Sequence, residues 1–108
     1  MKQRKREKLK AAGWAVDSVQ EFLGLTDAET ALIEMKLSLS AALRSRRKRS
    51  GLSQAQVARR LKSSQSRVAK MEAGDPSVSM DLLVRSLLAL GASSTDLANA
   101  IRAAHRAA

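Results

Sequence analysis

Residues 53–74 read SQAQVARRLKSSQSRVAKMEAG, and their apolar spacing predicts two short helices joined by a polar break. Ser53 is placed to cap the first helix, and Gln56, three residues on, completes a capping box. Val57, Ala58 and Leu61 recur at helical spacing and predict its buried side. Lys62, Ser63 and Ser64 interrupt the pattern. Ser64 is a second N-cap, Val68, Ala69 and Met71 form the apolar side of the second helix, and Gly74 supplies its C-terminal stop.

Gln65, Ser66, Arg67 and Lys70 project from the first two turns of that second helix. Gln pairs bidentately with adenine, Arg with guanine, and Ser with several base edges or with a phosphate. A helix offering such residues from its N-terminal turns fits a DNA major groove. Glu72 is the only acidic residue between Lys36 and Gly74, which predicts a pair with a nearby Arg. The competing reading of the periodicity is a small α-domain with a solvated polar face.

At this stretch the chain resembles the phage-repressor-like (Xre) transcription regulators. Ala58 is small where the two helices touch, Gln54 and Gln65 open the helices, and Glu72-Ala73-Gly74 closes the second. The likeness runs upstream to Arg47 and Gly51 and downstream through Leu90. Within the family the chain looks most like the HigA-type antitoxins, because FLGLTDAETALIEMKL, ahead of the motif, is similar to what precedes it there. The resemblance implies that Arg47 pairs with Glu72 and is held against a phosphate, and that Gln54 reaches the DNA backbone. Ser53, Ser64 and Ser77 join them as expected phosphate contacts. Two positions depart from the family. Lys62 stands where Gly is usual, at a cost of order 1 kcal/mol for a left-handed Lys. Ser63 stands where Val or Ile is common. Together they predict a looser turn.

The chain has 108 residues, room for one domain with an added arm. Its core is correspondingly small. Trp14 and Phe22 are the only aromatics, so Leu, Val, Met and Ala must build the interior, which suits packed helices. The expected fold is all-α, a five-to-six-helix domain of the phage-repressor-like type with an N-terminal extension. Its parts are a basic tail and apolar, acidic arm over 1–25 and a helical domain over 26–108.

Twenty basic residues against ten acidic ones leave a formal charge of +10, which favours a polyanionic partner. Duplex DNA is the expected one. RNA is a weaker reading, because the basic region lacks stacking aromatics. No apolar run nears the roughly 20 residues of a spanning helix. The opening MKQRKREKLK lacks the apolar core of a secretory signal, so a bacterial cytoplasm, and the nucleoid when DNA is bound, is the expected location. There is no cysteine, hence no disulfide or thiolate metal site. His105 stands alone near the end, no Gly-rich phosphate loop is present, and the acids are scattered. The expectation is therefore no enzyme, no cofactor and no metal.

Residues 1–10 carry six cations against Glu7. They read as a solvated tail or as an arm reaching along phosphates. Between residues 11 and 35 there are five acidic residues and no Lys or Arg; residues 36–70 hold eleven basic residues and no acid. This asymmetry predicts two surfaces with different tasks. Asp17 to Leu23 predicts a short helix with Val19, Phe22 and Leu23 on one side. Trp14, Val19, Phe22 and Leu23 either extend the core or anchor a protein partner. A basic toxin is the partner the HigA-type resemblance implies.

Thr26 to Ser50 predicts one long helix, with Thr26 and Glu29 as a capping box and a break near Ser38 or Ser40 as the alternative. Leu32, Met35, Leu39 and Leu43 recur along it, with Ile33 and Leu37 beside them. The helix exceeds what a four-helix core needs, so its first half is expected to pack on a second subunit. After Gly74, Asp75-Pro76-Ser77 turns the chain, and Ser79 caps a helix whose Leu82, Leu83, Leu87, Leu88 and Leu90 predict core. Gly91 ends it. Ser93 to Asp96 opens a last helix, with Leu97, Ile101 and Ala104 in line, that closes the domain or pairs with its twin. One short recognition helix reads few bases, so DNA binding as a homodimer is expected.

Overall fold

The computed structural model describes residues 21–107, with side chains described through Ala103. Trp14, Val19, the basic tail and the side chains of Ala104 and His105 lie outside the described residues. Residues 21–23 are helical. Five helices follow: α1 (Asp27–Arg49), α2 (Gln54–Arg60), α3 (Gln65–Ala73), α4 (Met80–Ala89) and α5 (Ser94–Ala107). The described residues contain no strand, and the fold is all-α, with α2 and α3 as the helix-turn-helix.

Each helix begins on a side chain that takes up an otherwise unpaired backbone N–H. The Thr26 hydroxyl accepts from the Glu29 N–H at 3.1 Å while the Glu29 carboxylate accepts from the Thr26 N–H at 2.9 Å. Ser53 and Gln56 repeat this box at α2, at 3.1 and 2.7 Å. Ser64 and Ser79 cap α3 and α4. Ser93 and Asp96 box α5 at 3.1 and 2.9 Å.

The ends are as regular. After α1, Gly51 takes φ 70°, its N–H bonds to the Lys48 carbonyl at 3.0 Å, and the Leu52 N–H reaches back to Arg47 at 3.1 Å. These two bonds form a Schellman closure. The turn after α2 closes in the same way without glycine. Lys62 takes φ 54°, its N–H bonds to Arg59 at 3.2 Å, and the Ser63 N–H reaches Ala58 at 2.8 Å. The expected loose turn is therefore corrected. Two well-made hydrogen bonds hold it, and the cost is carried as Lys62 backbone strain and as a Ser63 hydroxyl that is buried without a partner.

α1 runs unbroken for 23 residues, about 35 Å at 1.5 Å per residue. The serines that suggested a break serve packing instead. The Ser38 hydroxyl donates to the Ala100 carbonyl of α5, and Ser40 is small and buried at a crossing. α5 lies along α1, tied also by Arg46 to Asp96 at 3.0 Å. It thus closes the domain.

The core is built from Leu39 and Leu43 of α1, Val57 and Ala58 of α2, Val68 and Met71 of α3, and Leu83 and Leu87 of α4. Val78 and Ala92 seal it from the loops. Leu61, Leu82, Leu90, Leu97 and Ile101 pack partly buried around its rim. Leu88, expected inside, is half exposed. It stands one residue, about 100°, round the helix from Leu87. Ser86 takes the inward place, and its hydroxyl donates weakly to the Met71 sulfur at 3.5 Å. In the first half of α1, Thr30 is buried while Leu32, Ile33 and Leu37 stay about half exposed.

Candidate nucleic-acid interface

α3 is pinned by Val68 and Met71, both fully buried. At about 100° per residue, Ser66 and Ala73 then stand opposite the core, with Ala69 and Lys70 beside them. Gln65 and Arg67 flank this line on opposite sides. Gln65, Ser66, Arg67 and Lys70 are all exposed, so the four expected base readers share one accessible surface. The middle of that surface is lined by the short side chains of Ala69 and Ala73. This lets a groove floor come close, a feature that a search for hydrogen-bonding residues overlooks.

Among the clefts along α3, two flank its exposed surface. On the α4 side, Ser64, Ser66, Arg67, Lys70, Ser77 and Ser79 converge. The Ser64 hydroxyl accepts from the Arg67 N–H at 3.2 Å and lies 3.2 Å from the Ser66 hydroxyl. Ser77 differs from the expectation of a free phosphate donor. Its N–H and hydroxyl both donate to Asp75 Oδ1, at 2.8 and 2.6 Å. These bonds, with lesser help from Lys70 and Lys36, hold the Asp75 carboxyl below its ordinary value. Asp75 thus accepts the hydroxyl hydrogen bond that Ser77 would otherwise offer to a phosphate.

On the other side, Arg44, Arg47, Gln54, Ala69, Glu72 and Ala73 line a second cleft. Its base is the ion pair of Arg47 and Glu72. Arg47 Nε donates to Glu72 Oε2 at 2.5 Å and Nη2 to Oε1 at 2.9 Å, a bidentate pair; Nη1 donates to the Leu52 carbonyl at 3.0 Å. Gln54 Nε2 adds a bond to Glu72 Oε1 at 3.2 Å. The side chains are 13% and 4% exposed, respectively. Burial by itself raises the Glu72 pKa. The hydrogen bonds from Arg47 and Gln54, and the charges of Arg47 and Arg44, outweigh it and hold the carboxyl below its ordinary value. Glu72 in turn raises the Arg47 pKa.

Three of the five guanidinium N–H groups of Arg47 are therefore committed inside the protein, which leaves two for a phosphate. Gln54 likewise keeps one amide N–H. Ser53 accepts the α2 cap bond and retains its hydroxyl proton. Arg44 was not singled out from the sequence, yet it lines this cleft. Its spacing was the available signal: three residues before Arg47, it shares that side of α1.

The other expected sites are distributed differently. Phe22 and Leu23 are 62% and 60% exposed, well away from α3 in sequence. No helix among the described residues is long and apolar enough to cross a membrane.

A family model described as a helix-turn-helix domain matches residues 38–100, more than half of the chain. No curated protein and no solved structure matches. The matched span runs from the middle of α1 through α2 and α3 and into α5, and it contains both clefts and the exposed side of α3. The chain belongs to the helix-turn-helix domain family of DNA-binding proteins.

Proposed function

We propose that this protein is a sequence-specific repressor of the Xre type that binds duplex DNA as a homodimer and occludes a promoter, that of its own operon. α3 enters the major groove. Gln65, Ser66, Arg67 and Lys70 read base edges. Ser64 and Ser77 on one side, and Arg47, Ser53 and Gln54 on the other, hold the two backbones that border the groove. Ser77 contributes only when its hydroxyl leaves Asp75. The observation that carries this reading is the placement of one exposed polar helix surface between two clefts rich in hydroxyl, amide and guanidinium groups. The cytoplasm is the matching location, and no catalysis or cofactor enters the scheme.

Sequences selected from random DNA by the full chain supply the site for the test. Arg67→Ala then removes preference at one base position, at about 1–3 kcal/mol for a good bidentate contact. Equal loss on the selected site and on scrambled DNA removes Arg67 from the readers. Failure to select any sequence refutes the repressor.

A second reading has its own support. Phe22 and Leu23 are exposed, and the stretch around them is acidic in a strongly basic chain. An antitoxin of the HigA type, whose main task is to hold a basic toxin protein, fits that surface, with DNA binding as autoregulation. Co-purification with a small basic protein from the native operon supports it. Tight operator binding with no such partner counts against it.

A further inference from the structure

We propose that the cleft between the end of α2, α3 and α4 binds a small organic anion with an apolar body, and that its occupant draws Arg67 away from DNA. The binding site stands on its own geometry; its effect on DNA rests on the repressor reading. The cleft measures about 430 Å³, within the roughly 300–1,000 Å³ of small-molecule sites. Leu61, Met71 and Leu82 give it an apolar lining, and Arg60, Lys62, Arg67 and Arg85 bring four cations to it from α2, the turn, α3 and α4. No acidic residue lines it among the described residues. Arg60, Lys62 and Arg67 form no ion pair among the described residues, and Arg85 holds Asp81 at 2.6 Å in a largely exposed pair. Such a pair yields readily to another anion. Cations converging over an apolar lining suit a carboxylate or phosphate carried on an apolar body. A bare ion leaves the lining unused, and a neutral molecule leaves the cations unused.

The turn before α3 gives a second, independent sign. Lys62 holds φ 54°, a conformation that Gly takes without strain. Ser63 keeps a buried hydroxyl without a partner, where Val strands nothing. Two consecutive residues thus cost stability, and both line this cleft, where they supply an ammonium and a hydroxyl. Local departures of this kind gather at functional sites. The Ser63 hydroxyl has no hydrogen bond to give up on turning to an anion. Arg60 and Leu61 stand at the opposite end of α2 from Gln54, and the cleft shares no residue with the one around Arg47 and Glu72. It does share Arg67 with the cleft of Ser64 and Ser77. One guanidinium therefore stands between the reading surface and the anion site, and pairing it on the α4 side removes it from a base edge. By linkage, DNA and the anion then weaken each other by the same factor.

The full chain is titrated calorimetrically with 2-naphthoate and 2-naphthyl phosphate, which carry both parts, with 2-naphthol, the body alone, and with inorganic phosphate, the charge alone. The expected result is saturable binding of a naphthalene anion at least tenfold tighter than naphthol or phosphate, and the tighter of the two anions names the head group. Lys62→Gly combined with Ser63→Val is expected to weaken that binding at least tenfold while the urea midpoint rises, an outcome that damage to the fold does not give. Arg59→Ser, a change at an exposed cation outside the cleft, is expected to bind as the natural chain does. On the selected DNA site, a saturating anion is expected to lower affinity at least fivefold, and Arg67→Ala to abolish that effect. Absence of saturable binding, equal binding of naphthol or phosphate, full binding by the double variant, or an equal loss in Arg59→Ser overturns the site. Binding that leaves DNA affinity unchanged, or an effect that survives Arg67→Ala, overturns the coupling through Arg67. A chain that selects no DNA sequence yet binds the anion refutes the repressor and leaves the site standing.

Discussion

Replacing Arg47 by Met tests whether the centre of the second cleft is scaffold, DNA contact or both. The change keeps an apolar stem and removes three hydrogen bonds, two to Glu72 and one to the Leu52 carbonyl. It also leaves the Glu72 carboxylate, 4% exposed, with Gln54 as its remaining hydrogen-bond partner. Breaking a buried ion pair from one side costs about 3–5 kcal/mol. Gln54 and proton uptake by Glu72 soften this, so about 3 kcal/mol is expected. For a domain of this size, where each kcal/mol moves Tm by about 4–8 °C, that is a fall of roughly 15 °C. Arg47→Met combined with Glu72→Leu removes the stranded charge and is expected to return to within about 1 kcal/mol of the natural protein. Urea and thermal unfolding followed by circular dichroism measure both. The folded double variant then isolates the DNA contact. If Arg47 also touches a phosphate, the slope of log affinity against log salt falls by about 1. A single variant costing less than about 1 kcal/mol, or a double variant costing the sum of its parts, refutes the argument from desolvation. An unchanged salt slope in the double variant confines Arg47 to the scaffold.

Three further outcomes are expected. Lys62→Gly relieves a left-handed Lys and raises stability by about 1 kcal/mol, and Ser63→Val removes a buried unpartnered hydroxyl for a gain of about 1–2 kcal/mol; urea midpoints that do not rise contradict the account of the turn. Gly74→Ala adds a Cβ 2.6 Å from Leu37 Cδ2 at φ +74°, so a loss of at least about 1–2 kcal/mol is expected; a neutral result means that α1 and α3 are not in close contact. Stability falls in acid: Glu72, Asp75 and Asp96 all have folded pKa values below their ordinary ones, so the unfolded chain takes up their protons first. Their contribution is complete above the unfolded carboxylate values near 4 and is lost as pH drops through the lowered folded ones. Glu72→Gln is expected to flatten the acid limb of a stability–pH curve, and an unaltered limb refutes the assignment.

The helix boundaries and caps are legible in the sequence, because they are local chemistry. Thr26 with Glu29, Ser53 with Gln56, and Gly51, Gly74 and Gly91 act over three to five residues, and the expected boundaries hold to within a residue. The exposed polar side of α3 follows from the same 3.6-residue period that buries Val68 and Met71. The pairing of Arg47 with Glu72 spans 25 residues; a lone acid among cations hinted at it, and the family resemblance named it.

Burial was decided elsewhere. Leu32, Ile33 and Leu37 continue the apolar pattern of Leu39 and Leu43, yet they stay about half exposed, and a periodic sequence does not say how far its neighbours extend. Leu88 is half exposed and Ser86 buried because α4 presents one narrow stripe to a small core, and the stripe's angle is set by Met71 and the helices around it. Arg44 joins Gln54 and Glu72 in one cleft because helices distant in sequence cross there. Local hydrogen bonds are encoded where they are made, whereas accessibility is a property of all the surrounding surfaces at once. That is why the chain alone marked its helices and the exposed polar side of α3, and why only their packing revealed the clefts beside that side.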